Sequence, residues 1–187
     1  PYMKIFKTIF ITFIFLTCSV KADFDQNLIK EFKQGGKLIF IRHAYAPGSG
    51  DPKNFNLDDC STQRNLNNSG KKQSKNIGSL FLKNNIKIHK VYSSEWCRCK
   101  ETADIAFKKF ETKQFLNSFY SPQYSKNRIQ QVIDFKHFLK KWNEKDNLIF
   151  ITHYVVISEF LNYAPSSGEI VIADKYLNII DSFETKY

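Results

Sequence analysis

Two arginines and two histidines in this chain have the chemistry that phosphoryl transfer requires. Arg42 directly precedes His43, Arg98 lies near the middle of the chain, and His153 follows a late apolar run. A neutral imidazole is a competent nucleophile near neutral pH, and a guanidinium presents a planar fork of donors that fits a phosphate. Phosphoryl transfer depends mainly on positioning and on donors around the equatorial oxygens. These residue types therefore predict a phosphoryl-transfer site if the fold brings them together.

The elements that must position these residues are three predicted strands. Their apolar or alternating runs cover residues 37–41, 86–92 and 148–151. Arg42 and His43 follow the first strand, Ser94 to Arg98 follow the second, and His153 follows the third. Predicted helices alternate with the strands, over residues 25–33, 68–83, 94–107 and 128–142. This alternation predicts an α/β three-layer sandwich, with a mostly parallel sheet and helices on both faces.

In such a sheet the ligand site lies beyond the carboxyl ends of the strands, where all four residues fall. The long Gly/Pro/Asp-rich loop over residues 47–59 is expected to shape the pocket. A serine of the pair Ser93-Ser94 is predicted to cap the helix that carries Arg98. Three further predictions concern the rest of the chain: a short strand over 114–119, a final hairpin over 169–173 and 177–180, and core positions at Ile129, Val132, Ile133, Phe135 and Leu139.

The first residues have the layout of a secretory signal. Lysines flank a short apolar stretch over residues 9–16, and a membrane-spanning helix would need about 20 apolar residues. We therefore expect a signal peptide over residues 1–22, cleaved after Ala22, and no stable membrane span after processing. Cleavage before Cys18, as in a lipoprotein, is the alternative. Residues 23–187 would form a single domain that is periplasmic or secreted.

The charge balance favours an anionic ligand. The chain carries a formal net charge of +10, which becomes +7 once the three lysines of the signal are removed. These lysines and the others are spread along the chain, without clustered basic runs, so nucleic acid is not an expected partner. The expected partner is a small phosphorylated substrate, and no cofactor is implied.

Three cysteines follow the predicted cleavage site. In an oxidising compartment three cysteines suggest one disulfide and one spare thiol. Cys97 and Cys99 lie two apart on a predicted helix and point to different sides, so the expected bridge joins Cys60 to one of them. A zinc site would need four ligands at tighter spacing, so no metal is expected.

Three segments of this chain resemble the histidine phosphatase superfamily, which has the phosphoglycerate mutase-like fold. Leu38-Ile-Phe-Ile-Arg-His-Ala44 resembles its Arg-His-Gly/Ala signature at the end of the first strand. The segment from Ser93 to Ala103 is similar to its Ser-Ser-x-x-x-Arg-x-x-x-Thr-Ala pattern, and Ile149-Phe-Ile-Thr-His153 resembles the strand that delivers its second histidine. The resemblance spans about residues 37 to 160 and identifies the chain as a small exported member.

The resemblance implies a role for each matched residue. His43 would accept the phosphoryl group, Arg42 and Arg98 would bind its oxygens, and His153 would donate to an oxygen in the transition state. The segment from Asp59 to Leu66, followed by Gly70 and Gln73, also resembles the family and makes Arg64 a further substrate ligand. The same resemblance implies that Cys60 pairs with Cys97.

The chain departs from the family pattern at two places. Ser49, a shorter donor, stands where the family often has an asparagine that binds substrate. The usual places of the general acid hold Asn117-Ser118 and Tyr154. A missing acid typically costs about 10² to 10⁴ in rate. Three carboxylates are candidate acids from another direction: Asp58, Asp59 and Glu95.

These observations predict an exported phosphatase that hydrolyses a phosphomonoester through phosphohistidine at His43. Two alternatives account for the missing acid. A phosphohistidine phosphatase has a leaving group that needs less protonation, and a catalytically weak phosphate-binding module would have lost turnover altogether.

Overall fold

The computed structural model describes residues 24–187. The predicted signal peptide and its cleavage site therefore lie outside the described residues. The described residues contain six strands and six α-helices, in the order α1 (Gln26–Gln34), β1 (Leu38–Arg42), α2 (Asn68–Lys83), β2 (Lys90–Ser93), α3 (Cys97–Phe107), β3 (Glu111–Thr112), α4 (Pro122–Ser125), α5 (Arg128–Leu139), β4 (Leu148–Thr152), α6 (Tyr154–Leu161), β5 (Ile170–Ala173) and β6 (Ile179–Phe183). Within residues 24–187, no helix is both long enough and apolar enough to cross a membrane.

The strands form one mixed sheet in the order β3-β2-β4-β1-β5-β6. The pairs β2–β3, β2–β4 and β1–β4 are parallel, whereas β5 pairs antiparallel with β1 and with β6. The two apolar runs Leu38–Arg42 and Leu148–Thr152 are therefore central neighbours, which explains why nearly every residue in them is buried. The predicted α/β sandwich and its largely parallel sheet are confirmed.

Helices cover both faces of the sheet. Because side chains alternate along a strand, Ile39 and Ile41 of β1 pack on one face, where they join a core that includes residues of α1, α2 and α3. Leu38 and Phe40 pack on the other face, with residues of α5 and α6. The sheet is thus the rigid middle layer between two hydrophobic cores.

Several predicted elements differ from the structure. Ile129 and Ile133 were expected in the core, but their side chains are 74% and 40% exposed; only one narrow side of α5, centred on Phe135, faces the sheet. The predicted strand over 86–92 is ordered as a strand only over Lys90–Ser93, and the predicted strand over 114–119 is instead a 3₁₀ turn over Gln114–Leu116.

The N-terminus of α3 is also built differently from the prediction. Trp96, rather than Ser93 or Ser94, occupies the N-cap position, and it makes no side-chain cap. The side chain of Gln63, from the loop before α2, instead accepts a hydrogen bond from the Cys97 amide at 2.9 Å. A long-range contact therefore supplies the cap that the prediction assigned to a local serine.

Candidate active site

The carboxyl ends of three parallel strands bring the predicted residues together. Arg42 at the end of β1 is in register with Thr152 at the end of β4, and Ser93 of β2 is in register with Ile151. His43 and His153 each follow these strands by one residue, so their ring centroids lie 5.5 Å apart. The sheet register thus places both imidazoles at one edge, as the sequence predicts.

His43 is buried, and its hydrogen bonds identify which ring nitrogen carries the proton and which carries the lone pair. Its Nδ1 lies 2.8 Å from the carbonyl oxygen of Ala44, which can only accept, so Nδ1 carries the proton. Its Nε2 accepts a hydrogen bond from Nε of Arg98 at 3.2 Å. Burial, together with the neighbouring Arg98, lowers the pKa of His43 well below its usual value. His43 is therefore a neutral imidazole with the lone pair of Nε2 directed toward the arginine.

Arg98 is held by Asp51, a residue that the sequence prediction missed. The carboxylate of Asp51 accepts from Nη1 of Arg98 at 2.7 Å and from Nη2 at 3.2 Å. It also accepts from the Arg64 amide and from the indole N–H of Trp96, both at 3.1 Å. Despite its partial burial, these donors, above all Arg98, lower the pKa of Asp51. Asp51 is thus an ionised carboxylate whose bonds fix the guanidinium plane beside His43.

His153 is buried in a chain of hydrogen bonds that leads away from the cavity. Its Nδ1 faces Nη2 of Arg98 at 3.4 Å, and since a guanidinium can only donate, Nδ1 is the acceptor. The proton on Nε2 is then directed at Oγ of Ser94, 2.9 Å away, and Ser94 donates to Asn117 at 3.1 Å. Burial and the positive charge of Arg98 lower the pKa of His153 well below its usual value. Both histidines are therefore neutral in the resting site.

Arg42 and Arg64 add two further guanidinium groups to the cavity wall. Arg42 donates from Nη1 to the carbonyl of Pro165 at 2.9 Å. Its Nε is buried and has no hydrogen-bond partner among residues 24–187. Arg64 donates from Nε to the carbonyl of Gly50 at 2.7 Å and from Nη1 to the carbonyl of Ala46. Arg64 therefore also supports the loop that follows the nucleophile.

Three residues from the segments that resemble the family, Gln73, Gly70 and Thr102, contact the backbone of the loop that follows His43. Gln73 accepts from the Tyr45 amide at 2.9 Å and donates to the carbonyls of Ser167 and Thr185. A Cβ on Gly70 would lie only 2.0 Å from the Tyr45 carbonyl oxygen, so this helix position needs glycine. Thr102 accepts from the Ala44 amide at 3.1 Å and donates to the carbonyl of Arg98, which links the nucleophile loop to α3.

Cys60 and Cys97 form a disulfide, the pair that the resemblance implies. The bond joins the segment before Arg64 to the first residue of α3, one position before Arg98. Cys99 is a buried free cysteine whose Sγ lies 3.5 Å from Nε2 of His153. Burial raises the pKa of the Cys99 thiol to about 12, so it is not a thiolate at neutral pH.

These residues line a cavity of about 250 Å³. Arg42, His43, Arg64, Arg98, His153 and Ser49 all contribute to its wall, together with Asp51. The three carboxylates that the sequence suggests as general acids, Asp58, Asp59 and Glu95, do not line this cavity. Asp59 accepts a hydrogen bond from Ser61 at the start of the turn over Cys60–Thr62, and Asp58 is exposed. The carboxylate of Glu95 accepts a hydrogen bond from the side-chain amide of Asn117 at 2.5 Å. Asp51 is the carboxylate that reaches the cavity.

In the part of the chain that the structure describes, no group of three or more histidine, cysteine, aspartate or glutamate side chains is placed to hold a metal ion. The donors of the cavity are mainly guanidinium groups, which suit an anion.

No family model and no curated protein matches this chain. Solved structures do match over most of its length. The protein histidine phosphatase SixA, solved with tungstate, matches at 14% identity over 79% of this chain and 96% of its own, with a TM-score of 0.50. A phosphoglycerate mutase from Thermus thermophilus matches at 14% identity over 79% and 98%, with a TM-score of 0.53.

A third solved structure is a candidate alpha-ribazole-5'-P phosphatase from Escherichia coli. It is 17% identical over 74% of this chain and 90% of its own, with a TM-score of 0.55. At such identities the match concerns the fold. The chain therefore has the phosphoglycerate mutase-like fold, which it shares with these solved structures.

Proposed function

We propose that this protein is a phosphatase that hydrolyses a phosphomonoester through a covalent phosphohistidine at His43. The observation that carries the proposal is the pairing of a neutral imidazole nitrogen with three guanidinium groups in one cavity. The position of Arg42 supports it as well, because this residue lines the same cavity as His43 and its guanidinium suits a phosphoryl oxygen. The fold match to a protein histidine phosphatase solved with tungstate is in accord with this chemistry.

The reaction would take two steps. In the first, the lone pair of His43 Nε2 forms an N–P bond while the P–O bond to the leaving group breaks, and the electron pair leaves on the ester oxygen. Arg42 and Arg98, with Arg64, would bind the equatorial oxygens as charge builds on them. In the second, a water oxygen attacks phosphorus, the N–P bond breaks, and the electron pair returns to Nε2. One proton of that water passes to the solvent and phosphate is released.

The departing ester oxygen needs a proton that the resting cavity does not offer readily. Asp51 reaches the cavity, but its four hydrogen-bond donors hold it ionised. The enzyme should therefore be faster on leaving groups that tolerate negative charge. This same observation favours a second candidate function, a phosphohistidine phosphatase, whose imidazole leaving group needs less help.

We further propose that the protein is exported to the periplasm or the cell exterior. The Cys60–Cys97 disulfide supports this location, because such bonds persist in oxidising compartments and are rare in the cytosol.

A phosphoenzyme-trapping experiment tests the proposed function. The protein is mixed with an aryl phosphate, whose leaving group needs little protonation, quenched without acid, and analysed by mass spectrometry. We expect one added phosphoryl group on His43, and hydrolysis that falls at least about 10³-fold in His43→Ala. His137→Ala is the matched control, since His137 is an exposed histidine of α5.

Hydrolysis that survives in a folded His43→Ala protein would exclude His43 as the nucleophile. Phosphate binding without an adduct or turnover would instead favour the anion-binding module.

A further inference from the structure

The cavity has a second half that the phosphoryl chemistry does not use. Beyond the arginines and histidines, five aromatic residues line it in two groups of contacting rings. In one group the ring of Phe55 stacks on that of Trp96, with centroids 5.0 Å apart, and the ring of Tyr124 meets that of Trp96 edge-on at 5.6 Å. In the other group the rings of Tyr120 and Tyr154 lie 5.9 Å apart. We call these five residues the aromatic rim.

Each of the two groups of rings in the aromatic rim contacts a reactive residue. The ring of Trp96 lies 5.4 Å from that of His153, and the guanidinium of Arg42 lies over the ring of Tyr154 at 5.3 Å. Because His43 and these rings line one cavity, a substrate whose phosphoryl group lies at Nε2 of His43 has its ester substituent within reach of the rings. The side chains of Tyr120 and Tyr154 are 54% and 37% exposed, so neither belongs to the buried core. Both rings therefore keep exposed surface that a ligand can contact, in addition to the face of Tyr154 that Arg42 covers.

We propose that the aromatic rim binds the leaving group of the substrate, and that this group is a single uncharged ring. This inference rests on the proposed function. Aromatic side chains bind flat ring faces better than they bind flexible chains, since a ring loses little conformational freedom on stacking. The other groups that line this half are also uncharged: Pro52, Ser118, Ser121, Pro122 and Gln123.

The volume of the cavity favours a leaving group of one ring. Pockets that hold drug-sized ligands are commonly about 300–1,000 Å³. The cavity of about 250 Å³ lies below this range and must hold the phosphoryl group as well. An aryl ring stacks through its flat π face and a sugar ring through a face of C–H groups, so the experiment must distinguish them.

Two matched pairs of primary phosphate esters test the inference. Glucose 6-phosphate is compared with its open-chain counterpart sorbitol 6-phosphate, and benzyl phosphate with heptyl phosphate. We expect kcat/KM to be at least about tenfold higher for the ring in one pair, which also identifies the ring as sugar or aryl. Equal values within both pairs would overturn the inference.

Acetyl phosphate, which has no ring, separates this inference from the proposed function. Turnover of acetyl phosphate through His43 without any preference for rings would retain the proposed function and reject the leaving-group site. Absence of a phosphoenzyme with every substrate would reject both.

Variants of the aromatic rim provide the second measurement. Tyr124→Leu and Tyr120→Leu should each lower the ratio of kcat/KM for the preferred ring to that for acetyl phosphate, by roughly three- to tenfold. Tyr176→Leu is the matched control, because Tyr176 is 73% exposed and does not line the cavity, and it should leave the ratio unchanged. A ratio that stays the same in both rim variants would also overturn the inference.

Discussion

Asp51→Asn should destabilise the protein because it leaves the buried charge of Arg98 without a counterion. The side chain of Arg98 is 3% exposed and that of Asp51 is 17% exposed. Asparagine preserves the size of the side chain but removes its charge, and it offers Arg98 one acceptor oxygen where the carboxylate offers two. An amide donor would then face a guanidinium donor in a confined site.

The size of the effect follows from the burial of the pair. Removing one partner of a buried ion pair typically costs about 3–5 kcal/mol. The cavity lets some water reach Asp51, so we expect the lower value, about 3 kcal/mol. For a domain of this size each kcal/mol lowers Tm by about 2–4 °C, which gives a decrease of about 6–12 °C.

Thermal and urea unfolding of wild type and Asp51→Asn measure this difference at pH 7. Asp58→Asn is the control on the same loop, because Asp58 is exposed and should change stability by less than about 0.5 kcal/mol. The folded-state pKa of Asp51 is lowered, so its contribution is present above the usual aspartate pKa and is lost as the pH falls through the lowered value. A Tm for Asp51→Asn equal to that of Asp58→Asn would refute the role assigned to this ion pair.

Two further predictions concern the disulfide and the histidines. The Cys60–Cys97 bond closes a loop with a sequence separation of 37, for which the chain-entropy model gives about 4 kcal/mol. Reduction should lower the free energy of urea unfolding by about that amount, and an unchanged unfolding curve in reductant would contradict this. His43 and His153 have lowered folded-state pKa values, so the unfolded chain binds protons first as the pH falls below about 6.5. Stability should decrease from pH 7 to pH 5 by up to about 1.4 kcal/mol per pH unit for each histidine. Denaturant unfolding should show a shallower decrease in His153→Asn, and equal slopes would argue against buried neutral histidines.

The sequence predicted the position of the site because the site depends on strand ends. The apolar runs before His43 and His153 are strong strand signals, and two buried strands of this kind become neighbours at the centre of a sheet. Their carboxyl ends then share an edge whatever the details of the loops. This is why the four predicted residues meet although the helix and strand bounds differ in places.

Asp51 could not be predicted in the same way, since its role arises from contacts across the chain. It lies in an irregular loop with no periodic pattern, and its partner Arg98 is 47 residues away. The same holds for Gln63, whose capping of α3 replaces a local serine. The hydrophobic pattern predicted the helix α5 correctly but not its buried side, since Ile129 and Ile133 have helical spacing but face solvent. Periodicity indicates which residues share a helix face, but how much of that face is covered depends on the neighbouring elements.

The bonds that hold the arginines in place also determine what phosphate binding would gain. Arg98 donates to Asp51 and His43, and Arg64 donates to two loop carbonyls. An incoming phosphate would therefore largely exchange one set of acceptors for another, and a hydrogen bond that replaces a hydrogen bond contributes little net free energy. For the proposed enzyme this exchange is an advantage. The internal acceptors that the substrate displaces can displace the product phosphate in turn, so the arginines can favour the transition state without retaining the product.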